Sequence, residues 1–328
     1  MKSVVHAVEK HYGYRVYDWK WVSGERCRLA TDHGRKWLRI EEQSSALRRS
    51  QILDQVALHR YRKTPRLIRT KYGDPLADVQ GVLLSLCDDV EHSLLRMNLE
   101  DGRLLAMELA KFHLALEGVS VQSVDHSASL YSDMRMKRAS LYDLNQRAIQ
   151  GGNAFLEHFS RVGQHLIERA DRALLTVAKG RMPERIAANS QQLRLGNDPF
   201  HAFGRDIYHQ ISLIEADSIQ PGDPEEDVVL ALRAIYASPV YELPQDEAAI
   251  ATSFLAVYDE IVGGNRDERQ SRIVGMALFP NEYAEIAQAY LRTCEDRSPL
   301  SSEDVEMWVA RLTHLSRKKA ISREENRL

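Results

Sequence analysis

Few residues in this chain stand at spacings that make chemistry by themselves. The 12 histidines include no HExxH pair and no His/Cys cluster with the ligand spacing of a zinc site. No GxSxG turn presents a serine nucleophile, and no GxxxxGK[ST] loop cradles phosphates. What remains is a set of carboxylates and amides in short turns: Asn197-Asp198-Pro199, Glu215-Ala216-Asp217 and Gly222-Asp223-Pro224. The oxygens of Glu215 and Asp217 are the kind that hard divalent cations take. Read singly, Asp198-Pro199 is a loop turn. Gly222-Asp223-Pro224 is a turn before a helix, with Asp223 where a helix N-terminus favours a carboxylate. Phe112-His113, on an amphipathic helix, reads singly as core packing.

The elements that position these turns fall into two kinds. Tyr14 to Val22 is rich in aromatic and β-branched residues, Ser23-Gly24 supplies a turn, Arg26 to Thr31 reads as a second strand, and Asp32-His33-Gly34 turns again. Lys36 to Ile40 alternates polar and apolar residues, as a strand with one buried face does. Ser45 to Tyr61 reads as a helix, and Gly81 to Leu86 as a buried strand running into a hinge at Cys87 to Asp89. From Leu99 to about Ala178 helical spacing dominates, with Leu105, Leu109, Phe112 and Leu116 on one face and Lys179-Gly180 as a stop. Ile211 to Ile214 is a brief strand. Helices resume at Glu225, and Ser301-x-x-Asp304 resembles a capping box opening a helix through Trp308 and Leu312.

Composition narrows the class of protein. The 328 residues suffice for two lobes with a sizeable core, and 44% hydrophobic with 28% charged is ordinary for a soluble globular chain. The 44 basic and 47 acidic side chains are scattered, giving a formal charge of −3 and no basic stripe, so nucleic acid is not expected as a partner. Three isolated cysteines suit a reducing compartment, and no apolar run approaches the roughly 20 residues that span a bilayer. Met1 to Lys10 lacks the apolar core of a signal peptide, so synthesis in the cytoplasm is expected, and no membrane partner.

Five short segments, in order over nearly the whole chain, resemble one superfamily. Leu109-Ala110-Lys111-Phe112-His113 looks like the "LA-x-FH" helix of the aminoglycoside phosphotransferases. Leu195-Gly196-Asn197 stands where "HGD" opens their catalytic loop, and Ile214-Glu215-Ala216-Asp217 where "IDFD" binds metal. Gly222-Asp223-Pro224-x-x-Asp227 is similar to "GDP-x-x-D". Leu278-Phe279-Pro280 with Tyr283 and Tyr290 resembles the "FP-x-x-[FWY]" helix of CotS-type spore-coat proteins. The resemblance implies an α+β, two-lobed protein kinase-like fold: a β-rich N-lobe over residues 1–87, a helical C-lobe over 88–317, and a charged, frayed tail over 318–328.

It also implies a chemistry against which the residues can be checked. Phosphoryl transfer needs a cation on the phosphates, metal ligands and a carboxylate that orients or deprotonates the acceptor hydroxyl. The strand lysine position carries Arg39, which keeps the charge but not the shape, while Lys36 lies an odd number of residues away and faces the other side. The helix after that strand has no acidic residue before Asp54, so the usual lysine–glutamate pair is not expected. Asn197 stands at the base position, and an amide accepts no proton at neutral pH. Ala202 stands at the loop metal-ligand position. Sliding the loop by one residue puts Asp198 at the base and Phe203 at the ligand slot, with His201 and Asp206 as further substitutes. Glu215 and Asp217 remain as metal ligands. Loss of a base alone costs about 10²–10⁴ in rate. The expectation is therefore a catalytically degenerate kinase-like protein, without a required cofactor, that associates with other spore-coat proteins in bacterial spore-coat assembly. The alternatives are a residual phosphotransferase using ATP and Mg²⁺, and a nucleotide-sensing pseudokinase.

Overall fold

The computed structural model describes residues 2–119, 130–180, 192–216, 219–237, 247–296 and 300–324. Packing divides the chain into two compact units: residues 1–124, 191–227 and 241–263 in one, and 125–190, 228–240 and 264–328 in the other. The first unit holds a β-sheet together with the helix of Phe112 and His113, whereas the sequence reading placed a lobe boundary at Cys87–Asp88.

A helix absent from the sequence reading comes first, Lys2–Tyr12 (α1). It ends where Gly13 takes a left-handed φ of 77° and donates to the Glu9 carbonyl, a conformation that glycine adopts without a Cβ clash. Its face of Ala7, Val8 and Tyr12 lies on a five-stranded antiparallel sheet of order β1-β2-β3-β5-β4. The strands are Val16–Trp21 (β1), Arg26–Thr31 (β2), Gly34–Glu41 (β3), Ala77–Val79 (β4) and Val82–Asp88 (β5).

Strand alternation sorts the sheet into two chemistries. Cys27, Leu29, Leu38, Leu84 and Leu86 face α1 and are buried, each aliphatic side chain worth about 1.5–3 kcal/mol. Their neighbours face the other way. Arg26 stands opposite Arg39, Arg28 opposite Trp37, and Trp37 opposite Cys87 in the strand ladders. Lys36 lies on the α1 side, nearly buried, with its ammonium on the His33 carbonyl and the Asp88 carboxylate. That matches the face assigned to it by counting.

Helix Gln43–Leu58 (α2) closes as Arg60 turns left-handed (φ 69°) and the Arg60 and Tyr61 N–H groups return to the Ala57 and Val56 carbonyls. It is tied to the sheet by an ion pair that the sequence reading did not include. Arg49 of α2 meets Glu41 of β3, both nearly buried, and the Ser85 hydroxyl donates to the same carboxylate. In place of a lysine on the strand and a glutamate on the helix, the tie between β3 and α2 has its glutamate on the strand and its arginine on the helix.

The remaining pieces of this unit are smaller. His92–Leu94 (β6), Phe203–Asp206 (β8) and Ile211–Leu213 (β9) form a second sheet, and Leu193–Arg194 (β7) pairs with Gln220–Pro221 (β10). Leu99–Leu116 (α3), capped by Asn98, packs on Glu247–Val262 (α9) at Gly102, where a Cβ would sit 3.1 Å from Ile250.

The second unit is helical: Leu130–Gln150 (α4), Ala154–Ser160 (α5), Gly163–Lys179 (α6), Arg266–Leu278 (α10), Asn281–Asp296 (α11) and Ser302–Glu324 (α12). Phe155 stacks on Tyr290 at 4.3 Å, and Trp308 meets the same tyrosine edge-on. The Ser301–Asp304 capping box forms in both directions, hydroxyl and carboxylate each accepting the other residue's N–H. The helix it opens continues to Glu324, past the start of the tail expected at 318.

Removing one partner of a buried ion pair strands the other, at about 3–5 kcal/mol. Arg49→Met should therefore lower unfolding free energy by that order in urea titrations. Exchanging the charges, Glu41→Arg with Arg49→Glu, should recover much of it; a double exchange no better than the single change would show that the pair does not couple.

Candidate functional site

The residues around Asp227 hold the loop in which the candidate catalytic positions lie. Asp227 is fully buried in the first turn of Glu225–Ala237 (α8). Its carboxylate accepts from the backbone N–H of Leu195 (2.5 Å) and of Gly196 (3.1 Å), from the Arg194 guanidinium (3.4 Å) and from His113 Nε2 (3.0 Å). Because a carboxylate only accepts, His113 donates to it through Nε2, while its Nδ1 lies 2.8 Å from the Tyr258 hydroxyl. Gly196 bends the chain with φ 85° directly after this anchor. The segments quoted around His113, Leu195 and Asp227 therefore meet at one point.

Beyond the anchor lie the loop's candidate catalytic side chains. Asn197 is exposed and lies outside the cleft described below. Asp198 caps the single turn Pro199–Ala202 (α7), accepting from Phe200 N–H at 3.0 Å and pairing with His201 Nδ1 at 3.1 Å. Ala202 is buried, and its carbonyl accepts from the N–H groups of Ile214 (2.8 Å) and Glu215 (3.2 Å). Ala202, whose side chain offers no ligand atom, is thus joined through its backbone to Ile214 and Glu215. Phe203, the slot in the slid alignment, packs edge-on against Phe112 in the core. Asp206 closes the β8–β9 turn by accepting from Tyr208 and Gln210 N–H.

Glu215 and Arg39 both face a cleft of about 790 Å³ whose walls are the free face of the five-stranded sheet, the segment after α2, and β9. Glu215 leans on Arg26 of β2, 3.9 Å away. Trp37 lines the cleft beside Arg39, with the Arg28 guanidinium 4.7 Å over its ring and in turn 2.8 Å from Asp89. Asp217 lies outside the described residues. Among the described residues no group of three His, Cys, Asp or Glu side chains could hold a metal ion.

The sequence reading missed Arg26, Arg28, Arg35, Arg62 and Arg66, all of which line this cleft. A signal was available for two of them: Arg26-Cys27-Arg28-Leu29 alternates charge with apolar residues, so both arginines had to share the face of Arg39.

One titrating group sits against the anchor. Burial pushes the Glu226 carboxyl from 4.5 up to about 7; Arg194, 3.2 Å away, opposes this, and Asp223 and Asp227 add to it. The folded state then holds a proton that the unfolded chain releases above about pH 4.5, so stability falls as pH rises to about 7. Denaturant titrations should show this decline, on the order of 3 kcal/mol at most, and Glu226→Gln should flatten it. Parallel profiles would exclude Glu226 as its source. Asp227→Ala, which leaves two loop N–H donors and His113 without an acceptor, should cost more than 3 kcal/mol in the same assay.

No protein-family model matches the chain, and no curated protein matches it in sequence. Solved structures do. An aminoglycoside phosphotransferase from Alicyclobacillus acidocaldarius superposes over 98% of this chain and 95% of its own, with TM-score 0.71 and 14% identity. An amicoumacin kinase in complex with AMP-PNP and Ca²⁺ gives 0.57 at 12% identity, over 98% and 93%. A macrolide 2′-phosphotransferase from Brachybacterium faecium gives 0.55 at 14% identity, over 95% and 98%. At these identities the likeness is one of fold: the chain has the kinase-like α+β fold of the aminoglycoside phosphotransferases.

Proposed function

We propose that this chain is a catalytically degenerate kinase-like protein that acts by association, with other spore-coat proteins as its partners in bacterial spore-coat assembly. The setting comes from the resemblance to CotS-type proteins. The degeneracy is carried by one observation: the loop ligand position holds Ala202, buried and without a ligand atom in its side chain, its carbonyl accepting from the Glu215 N–H, while the Glu215 carboxylate lies 3.9 Å from Arg26. Asn197 at the base position adds to this, since an amide cannot take the acceptor proton. Arg39 at the lysine position keeps a cation in the cleft without the lysine's shape. Asp198 as an alternative base, and metal ligation by Glu215 with Asp217, belong to the competing reading of a residual phosphotransferase.

A second reading, a nucleotide-sensing pseudokinase, is favoured over a purely structural component by the open cleft. Its volume is within the range of small-molecule sites. Ligand binding that stabilises one conformation would then control a partner. ATP with Mg²⁺ is the cofactor to test first.

The deciding assay is release or transfer of the γ-phosphate from ATP in the presence of Mg²⁺ or Mn²⁺, with a hydroxyl-bearing antibiotic as acceptor. The expected result is no turnover above a heat-treated control. The triple change Asn197→Asp, Ala202→Asn and Glu215→Asp, which supplies the missing base and ligand, tests the same reading from the other side. Wild-type turnover that Asp198→Asn abolishes would establish the phosphotransferase instead.

A further inference from the structure

We infer that two copies of this chain pair through β1, antiparallel and edge to edge about Trp19, so that two five-stranded sheets continue as one. The inference goes beyond the reading of the chain as non-catalytic and does not depend on it. β1 is the outermost strand of its sheet, with β2 on its inner side. In their ladder Lys20 stands opposite Arg28 and Asp18 opposite Ala30, and the Val22 N–H continues the same register by donating to the Arg26 carbonyl. Backbone groups alternate along an antiparallel strand, so Asp18 and Lys20 turn theirs to β2 while Trp19 and Trp21 turn theirs outward. The Trp19 N–H accordingly meets no strand and donates to the neighbouring Asp18 carboxylate at 2.8 Å.

The side chains along this edge are exposed from Tyr17 to Lys20. Asp18 and Lys20 share the face of Arg28, and Trp19 shares the face of Leu29. Lys20 forms no ion pair among the described residues. An uncovered edge is a template for a further strand, and a lysine on it ordinarily repels one. Here the lysine has its counter-charge two residues away in the same strand.

That spacing selects a partner. Opposed residues in an antiparallel pair turn their backbones the same way, so two copies of one strand align centred on a single residue. Centred on Trp19, Asp18 falls opposite Lys20 of the second copy, and Lys20 opposite its Asp18. Trp19 meets Trp19 on the other face, and Tyr17, where the ladder to β2 is bulged, comes towards Trp21. Centred instead on Asp18 or on Lys20, the strands set like charges directly against each other, which is repulsive. Charge thus favours one register, and in it the strand is complementary to itself. The outward N–H and carbonyl of Trp19 then bond to their counterparts, and Lys20 gains a carboxylate.

Sedimentation velocity of the full chain over about a hundredfold range of concentration tests this. The expected result is a monomer–dimer equilibrium whose dimer fraction rises with concentration. Asp18→Lys and Lys20→Asp, both at exposed positions, should each weaken the dimer about tenfold without moving the melting temperature of the dilute protein. Mixing the two variants should restore association, since each carries the charges that the other lacks, and so should both changes in one chain. A chain that stays monomeric throughout would overturn the inference, even where its edge accepts a strand of another protein. A dimer indifferent to both charge reversals has its interface elsewhere and would overturn it equally.

Discussion

A carboxylate removed from water must take its hydrogen bonds from the protein, and Asp227 takes them from two separate stretches of chain. Leu195 and Gly196 donate from the loop, Arg194 from the strand before it, and His113 from α3. A buried anion left unpaired is among the largest single losses a fold can suffer. The carboxylate therefore fixes where the loop begins and in which direction Gly196 sends it. Beyond it other contacts hold the chain: Asp198 caps the turn Pro199–Ala202, and Phe203 packs against Phe112 in the core. The anchor and the side chains that follow it are thus held separately.

The sheet shows the same separation. Its α1 face is held by apolar burial and tolerates only small polar exceptions such as Lys36, whose ammonium is fully occupied. Its other face is solvated and can carry charge at low cost in stability. Arginines occupy that face, and the Glu41–Arg49 pair preserves the link between strand and helix with exchanged signs. Coulomb attraction does not depend on which element bears which charge, so the mechanical tie survives the exchange. The arginine of that tie lies on the helix, while Arg39 stays on the strand and lines the cleft.

What could be read from the chain follows from what is local. Strand alternation placed Lys36 and Arg39 on opposite faces, because the side-chain period of a strand is fixed by covalent geometry. The Ser301–Asp304 capping box and the stop at Gly180 were legible because each involves a few consecutive residues. Helix α1 was overlooked, although Val4, Val5, Val8 and Tyr12 recur at helical spacing; the residues that Ala7, Val8 and Tyr12 pack on, Leu29, Leu38 and Leu84, lie far off in the chain. The five family-like segments announced the fold; that the Ala202 carbonyl accepts from Ile214 and Glu215 emerges only from the folded chain.

The sequence by itself determined which residue types stand at the base, lysine and metal positions, because those follow from order and spacing along one chain. Only the tertiary structure decided what surrounds them. It turned Asp198 into a helix cap, directed Glu215 to Arg26, and gathered arginines from two strands and a connecting segment around one volume. Those outcomes depend on contacts between residues far apart in the chain. Their closure is set by the packing of whole elements rather than by any local preference.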